Sequence, residues 1–539
     1  MGRHHRRLGK AAVIVLTTAV AVRLAPLLWT PYPFNPDGFV FAARARDALA
    51  SGALSLEAIG PHGYAFPTLL TAVAAIAGVA PLWLAQPTIA AVGAVPAALA
   101  VGFVGRLADR RAGGVAIAAA LAAGLTLALE GVYLRRTVTV SYEVLGLLFV
   151  PLVAIGTARF CRRGRLRWGV ALGALLVVLP ITHHLSAFVA ALTATAVVAV
   201  VVGRRYRPAR ELGFGLLFLV PFWLYVLGYY GLTRPPFSES LAANLGLFVA
   251  WVVVAAVGAA WLADARDRSV RLLAGAVLLS GFAILGANAA VDLFPGTATT
   301  PNRLLAHVAP LSVLAALASW GLPLAIGRVG DRAVVLGLFV APIAWVGFAV
   351  TAGVDPVYAL FARRGQTFVH LAVVVCAGLG IVALARAASP SRRRVLAVWL
   401  PILLCCCALA SLPLAFAGLE ALAYQGTTTS EEFAATEFAA SALGDAWTSD
   451  DHLTRIANNY RDAGVSPRAT DEWLRGGEFR CPTAAQESWR TVGAQRYPAD
   501  PIAVDESLLV AARADGHAIY ASGGSDPITI VAPTGARAC

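Results

Sequence analysis

Apolar stretches of about 20 residues recur through the first 417 positions, separated by short arginine-bearing loops, and this pattern decides what the chain can become. A helix of that length crosses the ~30 Å hydrocarbon core while bonding its own backbone N–H and C=O groups. The stretches are continuous rather than alternating, which excludes an outer-membrane barrel. With 58% hydrophobic residues, 14% charged residues and a mean hydropathy of +0.72, a soluble enzyme, a disordered chain and a disulfide scaffold are excluded too. The expected fold is a polytopic α-helical membrane protein.

Charge sets the expected sidedness. Arginine clusters fall at 106–111, 159–167, 204–210, 266–271, 328–332 and 386–394. Placing all of them in the cytoplasm satisfies the positive-inside bias and accounts for the net charge of +13 without nucleic acid. The basic start, MGRHHRRLGK, followed by apolar 11–29, reads as a signal anchor with a cytoplasmic N-terminus. The same bias requires one full span within 82–105 and makes 66–80 a helix in the outer interface. Further spans at about 114–129, 142–160, 169–181, 185–202, 212–231, 242–263, 272–291, 304–326, 333–353, 367–385 and 395–416 bring the expected number to about 13. The 169–202 pair is short for two spans and breaks at Thr182–His184.

Residues 1–417 are therefore read as a transmembrane domain, with 30–81 its first external loop carrying interfacial helices. Residues 418–539 are read as a small external α+β domain in a multi-pass protein of the cell membrane. This tail carries 17 Asp and Glu against 9 Arg, a net of −8 that leaves +21 for the rest. TTTSEEFAATEFAASAL has the order of a capped helix, and HAIYASGG and PITIVAP read as two short strands about a Gly-Ser-Asp turn. Cys481 and Cys539 lie in this tail, and an oxidising exterior would permit, without requiring, their pairing. Lys10 is the single lysine among 43 basic residues, a bias that fits a GC-rich genome and, with the acidic tail, a halophilic archaeal source.

Ionisable residues expected on the outer side are the candidates for chemistry. Asp37 stands in a Pro- and Gly-pinned turn among aromatics, where a carboxylate can serve as a general base or hard-metal ligand, or simply close an Asx turn. Glu143 lies at the mouth of an apolar helix, a costly place unless it is hydrated or paired, and Arg135 and Arg136 nearby in sequence are candidates to pair with it or to bind a phosphate. Glu130 is a weaker alternative. Arg234, Arg303, Arg363 and Arg364 oppose the positive-inside bias, so each wants a reason: a phosphate, a lipid headgroup, or an ion pair with Asp292 or Asp355. His183 and His184, at the helix break, are candidates for a diphosphate, a metal or proton transfer, against a plain role bonding helix-end carbonyls.

In order and sidedness these pieces resemble the GT-C membrane glycosyltransferases: FNPDGF after the first span, PHGYAFPTLL, GFVGRLADRR, a second acid in RRTVTVSYEVLG, THHLSA, and TPNRLLAHVAPL. The group includes protein mannosyltransferases, family 39 aminoarabinose transferases and oligosaccharyltransferases. The resemblance implies a polyprenyl- or dolichyl-phosphate sugar donor and transfer to a lipid-linked glycan or protein acceptor on the external face. It also implies Asp37 as the catalytic acid–base and Arg303 as a position that can contact the lipid phosphate. Glu143 is implied as an acid that helps hold the donor or a metal such as Mg2+ or Mn2+, with Asp37 as the other candidate metal ligand. The chain departs from the oligosaccharyltransferases in lacking a WWDYG sequence, and Asp37 is a single acid, not a pair. A single-sugar transferase fits better. The rival reading is a secondary transporter of an anion such as phosphate, which would place its polar site near the bilayer midplane.

Overall fold

The computed structural model describes residues 2–54, 63–108, 113–203, 208–295, 299–327, 331–418, 425–496, 501–537 and 539. Pro61, His62 and the arginines at 110–111, 204–205, 207 and 328 lie outside them. The chain is mostly helical. The first helix, α1 (Gly2–Leu24), runs into a short 3-10 turn. Helices α2 (Asp37–Ser51) and α3 (Ala65–Ala77) follow, then α4 (Pro81–Leu107), α5 (Gly114–Leu129), α6 (Gly131–Val138) and α7 (Glu143–Arg163). Next come α8 (Leu166–Thr182), α9 (His184–Val202), α10 (Pro208–Thr233), α11 (Pro236–Ala243), α12 (Leu245–Asp264) and α13 (Asp267–Ala290). The helical region closes with α14 (Asn302–Val308), α15 (Leu311–Ile326), α16 (Arg332–Ala352), α17 (Pro356–Gly365), α18 (His370–Ala387), α19 (Pro390–Ser411) and α20 (Pro413–Phe416).

Among the described residues, 11 helical segments are long and apolar enough to cross a membrane, or 12 with the bent α5–α6 pair. Two segments account for the difference from the expected 13. Helix α5 has 16 residues, and the chain bends by 57° at Glu130 before α6. Helix α8 has 17 residues and is short for a full span. Helix α3 has 13 residues and rises about 20 Å, too little for the hydrocarbon core.

Small residues let the helices close up. A Cβ added to Gly321 would lie 1.8 Å from the Cys376 carbonyl oxygen, and one on Gly380 would lie 2.1 Å from that of Leu317. Helices α15 and α18 therefore touch backbone to backbone, the packing that substitutes for the hydrophobic effect inside lipid. Helices α9, α16 and α18 are enclosed, whereas α10, α12 and α13 leave most of their surface open to lipid.

The last segment forms its own layer. Helices α21 (Ser430–Ala442), α22 (Asp451–Arg461), α23 (Arg468–Leu474) and α24 (Glu506–Asp515) accompany an antiparallel sheet ordered β1-β3-β2. Its strands are β1 (Thr483–Gln486), β2 (Gly516–Ala521) and β3 (Ile528–Pro533), with Ala485 facing Thr529 and Tyr520 facing Ile530. Thr429 and Glu432 form a capping box at the start of α21. Cys481 and Cys539 are joined in a disulfide.

This unit sits on the 30–51 segment. Tyr32, Phe39 and Leu82 share one core with Trp447, Leu453, Ile456 and Ile530, and Phe433 packs 4.6 Å from Tyr32 and 5.6 Å from Phe39. At the other end of α4, Arg106 lies 3.7 Å from Asp331, and Arg159 lies 3.9 Å from the same carboxylate. Helix α4 has 27 residues, so about 40 Å separates its two ends. The arginines at 106 and 159 thus lie at the end of the bundle opposite the C-terminal unit.

Candidate active site

The 30–37 segment is held from both sides. From the membrane helices, buried Gln86 accepts from Phe34 N at 3.0 Å and donates to the carbonyls of Arg23 at 2.8 Å and Val138 at 2.9 Å. Arg23, fully buried, donates twice to Thr137 Oγ1, at 2.7 and 3.0 Å. Val140 N donates to Phe34 O at 3.1 Å, tying the segment before Asp37 to the segment before Glu143. From the C-terminal unit, Gly426 O accepts from Asn35 N at 2.7 Å, and Asn35 takes a φ of 105°, a conformation asparagine tolerates better than most residues.

Asp37 and Glu143 then open two helices, α2 and α7, each in the first turn where the helix end favours a carboxylate. Asp37 is more than half exposed, and its carboxylate lies 4.0 Å from Nη1 of Arg455 on α22. Glu143 is 4% exposed, and its Oε1 has no hydrogen-bond partner among the described residues. A buried carboxylate oxygen left so is costly, which marks it as a place for a cation or a donor from a ligand.

The arginines come from helix ends. Arg135 and Arg136 occupy the last turn of α6, and Arg363 and Arg364 the last turn of α17, where exposed carbonyls favour a positive charge. All four line one cavity of about 580 Å³ with Asp37 and Glu143. Its roof belongs to the C-terminal unit and includes Arg455, Gln486, Gln495 and Asp526. Among its described lining residues five arginines face three carboxylates, so the cavity suits an anion. A second cavity of about 230 Å³ adjoins it and shares Arg135, Arg136 and Arg363. Beyond those arginines it is lined mainly by apolar side chains of α13, α14, α15 and α18, Phe282, Leu285, Leu311 and Val373 among them.

Other candidates go elsewhere. Arg303 is exposed on α14; its neighbour Leu304 lines the apolar cavity, but Arg303 lines neither. His183 is fully buried at the α8–α9 break, with Nδ1 2.7 Å from Ser186 Oγ and its ring 5.1 Å from Tyr142. Neither it nor His184 lines the two cavities. Glu130 is consumed locally: it caps α6 through Val132 N and Tyr133 N and pairs with His370. Asp355 caps α17, and Asp292 accepts from Phe294 N. Arg455, Gln486 and Gln495 were not foreseen; the only hint was the i, i+4 spacing of Asp451 and Arg455 in an amphipathic helix.

Among the described residues no three His, Cys, Asp or Glu side chains converge as a metal cage. The donors present are of another kind: two carboxylates beside a cavity suited to phosphate. That matches the habit of Mg2+ and its like, which take one or two carboxylates and complete their shell with phosphate oxygens and water.

The molecule is thus a multi-pass helical membrane protein whose ionisable cavity lies where a C-terminal α+β unit closes over the helices. No protein-family model and no curated protein matches the sequence. Solved structures do. The apo oligosaccharyltransferase of Archaeoglobus fulgidus is 14% identical over 84% of this chain and 63% of its own, with a TM-score of 0.49. The same organism's AglB with an inhibitory peptide and a dolichol-phosphate is 12% identical, over 83% of this chain and 63% of its own, at 0.47. ArnT from Cupriavidus metallidurans, bound to undecaprenyl phosphate, is 14% identical, covering 96% of this chain and 97% of its own, at 0.30. The chain spans about 63% of the archaeal enzymes it matches.

Proposed function

We propose that the protein is a membrane glycosyltransferase that takes a sugar from a polyprenyl- or dolichyl-phosphate donor and passes it to a lipid-linked glycan or protein on the external face. The observation that carries this reading is the junction of the two cavities at Arg135, Arg136 and Arg363. A lipid-linked sugar phosphate has the same three parts in the same order: an apolar tail, an anionic phosphate and a hydroxylated head. The tail lies in the apolar cavity, the phosphate at the shared arginines, and the anomeric carbon in the larger cavity facing Asp37.

In this reading Asp37 accepts the proton of the acceptor hydroxyl as its oxygen attacks the anomeric carbon. The bond from that carbon to the phosphate oxygen breaks, and the polyprenyl phosphate leaves with the electron pair. A single displacement inverts the anomeric centre. Arg135, Arg136, Arg363 and Arg364 face the charge that grows on the leaving phosphate, preorganised by the helix ends that carry them. Glu143, with Asp37, would hold Mg2+ or Mn2+, which when bound supplies further positive charge to the phosphate. The external location is supported by the arginines at the opposite end of the bundle, which the positive-inside bias assigns to the cytoplasm. A midplane transport site finds less support, since the charged cavity lies at one end of the helices.

The test is release of polyprenyl phosphate by purified protein from dolichyl- and undecaprenyl-phosphate hexoses, read by mass spectrometry beside glycan profiling of a deletion strain. Asp37→Asn should lower turnover by about 100-fold or more. Full turnover in that variant would refute the mechanism.

A further inference from the structure

Arg455 lies outside the membrane helices in sequence yet stands inside the charged cavity, and its surroundings on α22 form a pattern. Asp451, Arg455 and Asn459 are four residues apart and share one face of that helix. Arg455 Nη2 lies 3.0 Å from Asp451 Oδ2, while its Nη1 reaches within 4.0 Å of Asp37 Oδ1. One turn further on, Asn459 donates to the carbonyl oxygen of Pro36 at 2.9 Å. The stripe therefore grips two successive residues of the loop, one by its backbone and one by its carboxylate.

Helix α22 is itself fixed against α2. Arg46 lies 4.6 Å over the Tyr460 ring and donates to the Tyr460 carbonyl at 3.3 Å, and Phe39 packs edge-on to the same ring at 6.0 Å. At its start Asp450 caps Leu453 N and accepts from Trp489 Nε1 and Gln495 N. Asp37, by contrast, is more than half exposed, and Arg455 is its ion-pair partner among the described residues. A carboxylate at a helix start retains rotamer freedom unless something outside the helix orients it.

We propose that Arg455 is a positioning residue for Asp37: the C-terminal unit reaches into the cavity through the Asp451–Arg455–Asn459 stripe and aims the carboxylate of the membrane domain. The reaction centre is then complete only while the two units are docked. This rests on the transferase reading, with Asp37 as the acting base. A guanidinium anchored on one carboxylate and facing a second holds that second group by charge and direction without taking its proton. Displacement of a reacting group by about 1 Å is enough to cost about 100-fold in rate.

The experiment compares Arg455→Met, Arg455→Lys, Asp451→Asn and Asp37→Asn in the full-length protein, using the dolichyl- or undecaprenyl-phosphate hexose that wild type turns over. Arg455→Met should lower kcat by about 10- to 100-fold, leave the donor KM within about twofold, and bind undecaprenyl phosphate as wild type does. Arg455→Lys should recover part of the loss, and Asp451→Asn, which touches only the anchor, should show a smaller fall in the same direction. Wild-type kcat in Arg455→Met, with Asp37→Asn inactive, would overturn this inference and leave the transferase reading standing. A raised donor KM at unchanged kcat would also overturn it, making Arg455 a donor ligand. Full activity in Asp37→Asn would instead remove the reading beneath it. Arg455 is part-exposed, so unfolding of the Met variant is not expected, and Asp451→Asn supplies an independent arm.

Discussion

Replacing Gln86 by Leu isolates the network beneath the two acidic loops. The change keeps the volume close to native but strips three hydrogen bonds at 2.8 to 3.0 Å, leaving the Phe34 N–H and the Arg23 and Val138 carbonyls without this partner in a buried place. Each net hydrogen bond is worth about 1 kcal/mol, and each orphaned buried group costs about 1–3 kcal/mol. The carbonyls have second lone pairs, so the amide N–H of Phe34 should dominate, and the total should be about 3–5 kcal/mol. Unfolding of purified protein in mixed micelles with rising dodecyl sulfate measures it directly. Thr68→Val is the control, because its hydroxyl returns only to Tyr64 O within the same helical turn; it should shift stability by less than about 0.5 kcal/mol. Because Gln86 bonds the segments before Asp37 and before Glu143 at once, turnover should fall further than stability alone explains. A Gln86→Leu protein within about 1 kcal/mol of wild type would refute the network as a structural tie.

Two further outcomes follow from other parts of the molecule. In the C-terminal unit, burial works against a charged Glu432, but His452, the Thr429 N–H and Gln486 outweigh it and hold the carboxyl down at about 2; His452 is pushed up by Glu432, Asp450 and Asp451 against its own burial. The sign for Glu432 is stability present above its ordinary 4.5 and lost as pH falls toward 2. For His452 it is stability present below its ordinary 6.5 and lost as pH rises through the raised value. Amide protection of α21 and α22 in hydrogen exchange should therefore be greatest between about pH 4.5 and 6.5, and a rise in protection from pH 6.5 to 9 would contradict the pair. Separately, Gly321→Val should cost more than about 3 kcal/mol in the same micelle assay, since its Cβ would meet the Cys376 carbonyl oxygen at 1.8 Å and backbone cannot swing aside as a side chain can.

The helical membrane-spanning character of the chain was readable in the sequence because lipid leaves the backbone so few options. Spans must be long, apolar and helical, so hydropathy finds 11 of the 13 expected spans as long helical segments. Where that constraint relaxes, reading fails. The bend between α5 and α6 is set by Glu130 accepting from two backbone amides at a helix start, and in sequence that glutamate looks like any acid near a membrane. The four-residue β1, buried on both faces, shows no alternation to betray it. Among the helix-end arginines, 135 and 136 stood out as neighbours of Glu143 and 363 and 364 because they oppose the positive-inside bias, and the fold brings all four to one cavity. Arg303 stood out for the same bias, and the histidine pair for its place at a helix break, yet they line neither cavity, because local anomaly says nothing about which face a helix turns inward. Arg455 carries no such anomaly: an arginine in a soluble acidic domain is ordinary, and its place beside Asp37 depends on docking through Asn459, Tyr460 and Phe433, contacts more than 390 residues apart in sequence. The cavity is therefore half local and half tertiary. Its floor is written in helix ends that charge and hydropathy reveal, and its roof exists only once two separately patterned units have met.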